Sequence, residues 1–182
     1  VFLNNSAEER GGALFQRGNG TIRANDSFFD TNTARYGGAI SCEVGNQYRL
    51  QLFQNVFSNN TASEAGGAIY TDKVYLLYLV DNTFHANSSL AGVDGVHVIG
   101  RNKVDGFYGQ VIQNNIFSGH DPIALQLESF TNAPADPAGL YMYIDSNLFQ
   151  DRVEGGQNDY VVTVTPAVDL NYMTDSGDLY AD

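Results

Sequence analysis

A single cysteine, Cys42, leaves the chain no means of building an internal disulfide framework. Tryptophan is absent, and only 4 prolines interrupt 182 residues. No apolar run approaches the roughly 18 residues of a membrane-spanning helix, so no membrane insertion is expected in this segment. Basic charge is scarce: 9 Lys and Arg, of which 2 are Lys, stand against 21 acidic residues. The resulting net charge of −12 argues against nucleic acid, because phosphate binding needs clustered Lys and Arg. It also disfavours anionic membrane surfaces. There is neither an initiator Met nor a signal peptide, and Val1 stands inside a repeat. The expectation is a single domain over 1–182, excised from a longer chain.

What the chain does have is a recurring phrase. Phe2-Leu3-Asn4-Asn5 precedes Gly11-Gly12-Ala13-Leu14, and Phe29-Asp30-Thr31-Asn32 precedes Gly37-Gly38-Ala39-Ile40. Phe57-Ser58-Asn59-Asn60 precedes Gly66-Gly67-Ala68-Ile69, and Phe84-His85-Ala86-Asn87 precedes a degenerate Ala91-Gly92-Val93. A second phrase, apolar-x-x-Asn-x-Phe, interleaves with the first at Leu52, Leu79, Ile112 and Ile144. Successive phenylalanines lie 27, 28, 27, 33 and 32 residues apart. A period this long points to stacked coils.

Alternation within each coil reads as strand. Leu50 and Leu52 oppose Arg49 and Gln51; Leu77 and Leu79 oppose Tyr78. The expected fold is all-β: a right-handed parallel β-helix of about six coils, with an insertion near 95–110. Residues 1–94 hold the regular repeats, 95–164 enlarged coils, and 165–182 an acidic C-terminal edge. The expected interior column is Phe29, Phe57, Phe84, Phe117 and Phe149. Asn55, Asn82, Asn115 and Asn147 mark a bend, in left-handed backbone, with their amides laddered from coil to coil. The first Gly of each pair is expected at positive φ, and the second facing the interior. Cys42 shares strand parity with Ile40, so a buried thiol is expected.

These paired phrases resemble the repeats of polymorphic outer-membrane proteins and related parallel β-helix surface proteins. Asn114-Asn115-Ile116-Phe117, Ser146-Asn147-Leu148-Phe149 and Thr165-Pro166-Ala167-Val168-Asp169 are similar to the closing coils of bacterial β-helix proteins of that kind. The resemblance implies export, an extracellular or cell-surface location, and an adhesive or stalk-like role without enzymatic activity. The partners expected are a glycan or a surface protein of a host or neighbouring cell, met by outward aromatics, or another copy joined end to end through exposed strand edges. No membrane barrel or anchor motif lies within these residues.

Chemistry has a few places to reside. The stretch 95–109 gathers His97, Arg101, Lys103 and Asp105, and Gly119-His120-Asp121 follows one coil later. Polysaccharide lyases and hydrolases built on β-helices use carboxylates for acid-base work and Arg or Lys against a uronate. A carbohydrate-active enzyme, or a glycan-binding derivative of one, is therefore the alternative reading. Gly119-His120-Asp121 only partly resembles the Gly-His-Gly of polygalacturonases, and the accompanying motifs are missing, so no catalytic residue is expected. His97, between Val96 and Val98, reads as a solvent-facing strand residue, and His85 as part of a turn. No cofactor is expected other than calcium, for which Asp94, Asp105 and Asp121 are the candidate ligands, with an exposed acidic loop as the plainer reading. Tyr78, Tyr141 and Tyr143, opposite interior residues, are the candidates for an outward aromatic platform that binds a glycan or a partner chain.

Overall fold

The computed structural model describes residues 1–43, 48–90, 92–101, 110–120, 123–130, 142–150, 160–165, 174–176 and 179–181. Among them there is no helix, and every strand pairs in parallel with its counterpart one coil away. Three long sheets result. The phenylalanine sheet has seven short strands, including Phe28–Asp30, Val56–Ser58, Thr83–His85, Ile116–Ser118 and Leu148–Gln150. The glycine-corner sheet has six, from Leu14–Arg17 through Ile40–Glu43, Ile69–Val74 and Val96–Arg101 to Leu125–Phe130 and Tyr160–Thr165. The leucine sheet also has six, from Gly20–Asn25 through Tyr48–Phe53, Leu76–Val80 and Gln110–Gln113 to Met142–Asp145 and Thr174–Ser176. A fourth sheet of three strands, Thr33–Tyr36, Thr61–Ala65 and Ser88–Ser89, fills the first corner. The molecule is a β-solenoid.

The register that stacks the coils is set by identical side chains meeting themselves. Phe29, Phe57, Phe84, Phe117 and Phe149 pair directly across rungs. Their rings, with Phe2 added, stack at centroid spacings of 4.6 to 5.0 Å and within 8° of parallel. That spacing is the strand separation itself, about 4.8 Å, so backbone pairing dictates the stack. Burying each ring contributes about 1.5–3 kcal/mol. Leu50, Leu52, Leu77, Leu79, Ile112 and Ile144 complete the interior from the leucine sheet, and Cys42 lies buried opposite them in the glycine-corner sheet. Burial pushes the Cys42 thiol up to about 12, so it behaves as an inert apolar group.

Three local expectations need correction. The left-handed residue at the bend is the one before each asparagine: Gln54, Asp81, Asn114 and Ser146 have φ of 58°, 58°, 54° and 57°. Each asparagine itself lies outside the left-handed region and is buried, its amide laddered to the next coil. The second glycine of each pair is excluded from carrying a side chain by the next coil. A Cβ on Gly38 would stand 2.2 Å from the Gly67 carbonyl oxygen and 2.7 Å from the Thr61 nitrogen. The first glycine behaves as expected, with φ of +64° at Gly37 and +67° at Gly66. Finally, Val96–Arg101 is a regular strand, paired in register with Ile69–Val74 and Leu125–Phe130. The extra length of this coil therefore falls between Arg101 and Gln110, and the candidates Lys103 and Asp105 lie outside the described residues.

Candidate functional site

Two polar columns run inside the wall. In the first, the Asn82 side-chain oxygen accepts both the Asn55 backbone N–H and the Asn55 side-chain amide, each at 3.0 Å. The Asn82 amide nitrogen donates onward to Asn115 Oδ1 at 3.1 Å and to the Leu52 carbonyl at 2.9 Å. Asn115 repeats the pattern with Asn147. Ser27 caps the worn first copy, its backbone N–H donating to Asn55 Oδ1 at 3.0 Å.

A second column, unforeseen from the sequence, is built from the asparagine that ends each Phe-x-x-Asn. Asn5, Asn32 and Asn60 each donate a backbone and a side-chain N–H to the next asparagine's oxygen, ending on Asn87 Oδ1. The next coil reads Phe117-Ser118-Gly119-His120, and His120 occupies the asparagine position. Its Nε2 lies 3.5 Å from Asn87 Nδ2, its ring meets Phe117 edge-on at 6.3 Å, and its Nδ1 has no hydrogen-bond partner among the described residues. Burial, reinforced by the charge of nearby His85, depresses its pKa to about 4. His120 is thus a wall residue that replaces a ladder amide. Asp121 beside it lies outside the described residues.

On the outer side of the glycine-corner sheet a ridge runs along the stack. The Arg10 guanidinium lies 4.8 Å over the Tyr36 ring and 5.6 Å from the Tyr70 ring, and its Nε pairs with Glu43 at 3.2 Å. Tyr36 and Tyr70 sit 5.0 Å apart, and His97 meets Tyr70 edge-on at 5.4 Å. His97 Nε2 then reaches Glu128 at 3.1 Å, and Gln126 bonds the same carboxylate. The outward direction of His97 is as expected, but its side chain is only 12% exposed. Burial lowers its pKa, and Glu128 opposes that shift. At the first-coil end a cleft of about 420 Å³ is lined by Ala7, Glu9, Arg10, Phe15, Arg17 and Glu43. Alignment of the repeats carries this signal: Arg10 and Tyr36 both precede a Gly-Gly pair, and they meet as bridge partners.

The outer side of the leucine sheet carries a second set of aromatic contacts. Tyr78 aligns with Gln51 on one side and Val111 on the other, and Val111 aligns with Tyr143. Tyr78 and Tyr143 therefore share one row, two rungs or about 9.6 Å apart. Tyr141 lies outside the described residues. Phe53 stacks obliquely on Tyr78 at 6.3 Å, and Arg23 covers Phe53 at 5.6 Å. Arg23 joins the Tyr78 row through Gln51, and Phe53, in register with Val80, flanks that row and meets Tyr78 diagonally.

The remaining candidates disperse. Asp94 is buried and accepts the Ser89 backbone N–H at 2.7 Å, which places it in the corner. Arg101 ends its strand in register with Phe130. His85 is exposed and its Nδ1 meets the Ser118 hydroxyl at 2.9 Å. Among the described residues no three His, Cys, Asp or Glu groups converge to hold a metal ion. No described helix is long and apolar enough to cross a membrane.

Residues 56–72 match the repeat of the Chlamydia polymorphic membrane protein family. Over 158 residues the chain is 32% identical to the Probable autotransporter YfaL of Escherichia coli (strain K12), an alignment covering 80% of this chain. The chain spans 12% of that protein's length. No solved structure matches. The stretch matched in the family holds Phe57, Asn60 and the Gly66-Gly67 corner, the residues that make one coil of the solenoid. Residues 56–72 thus carry a repeat of the polymorphic membrane protein type, whose phenylalanine, asparagine and Gly-Gly positions recur in the coils on either side.

Proposed function

We propose that this chain is a surface-exposed, non-enzymatic segment of an autotransporter-like passenger, serving as a rigid stalk with an adhesive outer face. The observation that supports it is the division of labour between the two sides of the wall. Inward side chains are closed into phenylalanine, leucine and asparagine columns, while aromatic and cationic groups form rows outside. A wall of this kind transmits length and stiffness, and its outer rows are what a partner meets. The similarity to an autotransporter supports export and display at the cell surface.

The adhesive contact belongs to the leucine-sheet face, where Arg23, Phe53 and Tyr78 offer a flat ring surface to a glycan or to a surface protein of another cell. The test is retention of the purified chain on a glycan array and on cultured cells. A Phe53→Ala/Tyr78→Ala variant should lose at least tenfold in retention while its thermal unfolding stays close to that of the parent. Equal retention would remove the adhesive role from this face. Release of sugar products from a panel of acidic and neutral polysaccharides would replace the whole reading with the enzymatic alternative.

A further inference from the structure

Five strands of the phenylalanine sheet, Phe28–Asp30, Val56–Ser58, Thr83–His85, Ile116–Ser118 and Leu148–Gln150, are three residues long, so each sends its middle residue inward and its first and third outward. The third positions, Asp30, Ser58, His85, Ser118 and Gln150, are polar and bond to one another in places. The first positions differ. Phe28, Val56, Thr83, Ile116 and Leu148 are aligned rung by rung. Phe28, Val56 and Ile116 are 38%, 36% and 40% exposed, high values for apolar residues on strands. The result is a stripe one side chain wide, with five rungs and four intervals, about 19 Å long.

The border of the stripe carries charge of one sign. Asp26 and Asp81 stand at the exposed turn two residues before Phe28 and Thr83, and Asp30 flanks the other side. Segments 26–31, 54–59, 81–86, 114–119 and 146–150, which hold the stripe and its flanking turns, contain no Lys or Arg. Hydrogen bonds from Ser58 and Asn59 hold the Asp30 carboxyl below its usual range, so its negative charge persists at neutral pH.

The rung spacing selects the shape of the occupant. An α-helix laid along the stripe presents one apolar residue per turn, about 5.4 Å apart, against rungs about 4.8 Å apart. The mismatch accumulates to about 2.4 Å over four intervals, which side chains can absorb. An extended strand repeats its facing side chains about every 6.6 Å and drifts by about 7 Å over the same distance. We propose that this stripe docks a basic amphipathic helix of a partner protein, its apolar line seated on Phe28, Val56 and Ile116 and its Lys or Arg flanks facing Asp26, Asp30 and Asp81. This surface and partner are separate from the aromatic face assigned to adhesion above.

The probe is a synthetic helical peptide of about 14 residues with Leu along one face and Lys elsewhere, titrated calorimetrically into the chain. A Lys/Ser peptide of equal charge should bind at least tenfold more weakly. A Phe28→Thr/Val56→Thr/Ile116→Thr variant, which keeps a strand-favouring residue at the two β-branched sites, should also lose at least tenfold. Val111→Thr on the leucine sheet should change nothing. A photo-crosslinking Leu at the centre of the peptide should mark the strands of Val56 or Ile116 in the unaltered chain, an outcome independent of how the variant folds. Equal binding by the Lys/Ser peptide, undiminished binding by the triple variant, or crosslinks on the leucine sheet would overturn the proposal. So would sedimentation showing that the stripe is already covered by a second copy of the chain.

Discussion

The two asparagine columns differ in how they end. The column through Asn55, Asn82 and Asn115 continues to Asn147 with the same amide at every rung. The column through Asn5, Asn32, Asn60 and Asn87 runs into His120. In the first, the oxygens of Asn82, Asn115 and Asn147 each accept two N–H groups and each amide also reaches a carbonyl of the coil before, so the buried polar atoms are satisfied by repetition. In the second, a titratable ring stands where an amide belongs, at a longer distance and with one nitrogen unpartnered. Repetition makes a wall that is indifferent to pH, and a single exception makes one position that is not.

The largest effect should come from breaking either column in the middle. Asn82→Ala removes the acceptor of two Asn55 N–H groups, and Asn60→Ala does the same to Asn32. Two buried donors orphaned at about 1–3 kcal/mol each imply a loss of about 4 kcal/mol for either variant. His120→Ala breaks one 3.5 Å contact and should cost clearly less in polar terms. Denaturant titration followed by circular dichroism ranks the three. A His120→Ala loss as large as that of Asn60→Ala would mean that the columns are equivalent after all.

The next effect is the pH dependence of the exceptional rung. His120 titrates near its ordinary value of 6.5 when unfolded but is held down to about 4 when folded, chiefly by burial. Between those values the unfolded chain takes up a proton that the folded chain refuses. Stability from this site is therefore fully present above the ordinary value, falls as pH drops through the window, and levels off below about 4. The whole loss is about 3 kcal/mol. Protonation also deprives Asn87 of its acceptor at Nε2. His120→Asn, which extends the amide column, should remove this component. Its unfolding free energy should decline less than that of the parent between neutral pH and about pH 4.5, and parallel pH profiles for the two chains would refute the assignment.

Most of the solenoid was legible because one physical rule, like meets like at every rung, writes itself into sequence as period. The phenylalanine column and the first asparagine ladder follow directly from it. The second ladder is equally visible in Phe-x-x-Asn, and His120 in Phe117-x-x-His120, but a histidine followed by an aspartate reads as chemistry before it reads as a substituted rung. The Arg10, Tyr36 and Tyr70 ridge was harder to see, because its members sit at matching places in different coils without being identical. The tyrosine platform was read from strand parity alone. Parity gives the side of the sheet, while the register that sets Phe53 diagonally across from Tyr78 and puts Val111 between Tyr78 and Tyr143 depends on how coils of unequal length align.

The smallest effect concerns the left-handed residue that precedes each rung of the second column. Asn4, Thr31, Asn59 and Ala86 hold φ near 50°, and Gly119 fills the same place before His120 at φ 65°. Asparagine tolerates this conformation and glycine is unstrained in it, but alanine pays about 1–2 kcal/mol. The histidine rung has therefore the relaxed backbone, and the rung before it the strained one. Ala86→Gly should stabilise the chain by about 0.5–1 kcal/mol, the relief of strain being partly offset by the greater freedom of glycine when unfolded. Thr31→Gly should gain less, because the Thr31 hydroxyl bonds Asp30 at 2.8 Å. Thermal unfolding of the two variants measures the difference. A loss of stability in Ala86→Gly would show that the methyl group, which faces Gly119 across the rung, holds this turn by contact rather than straining it.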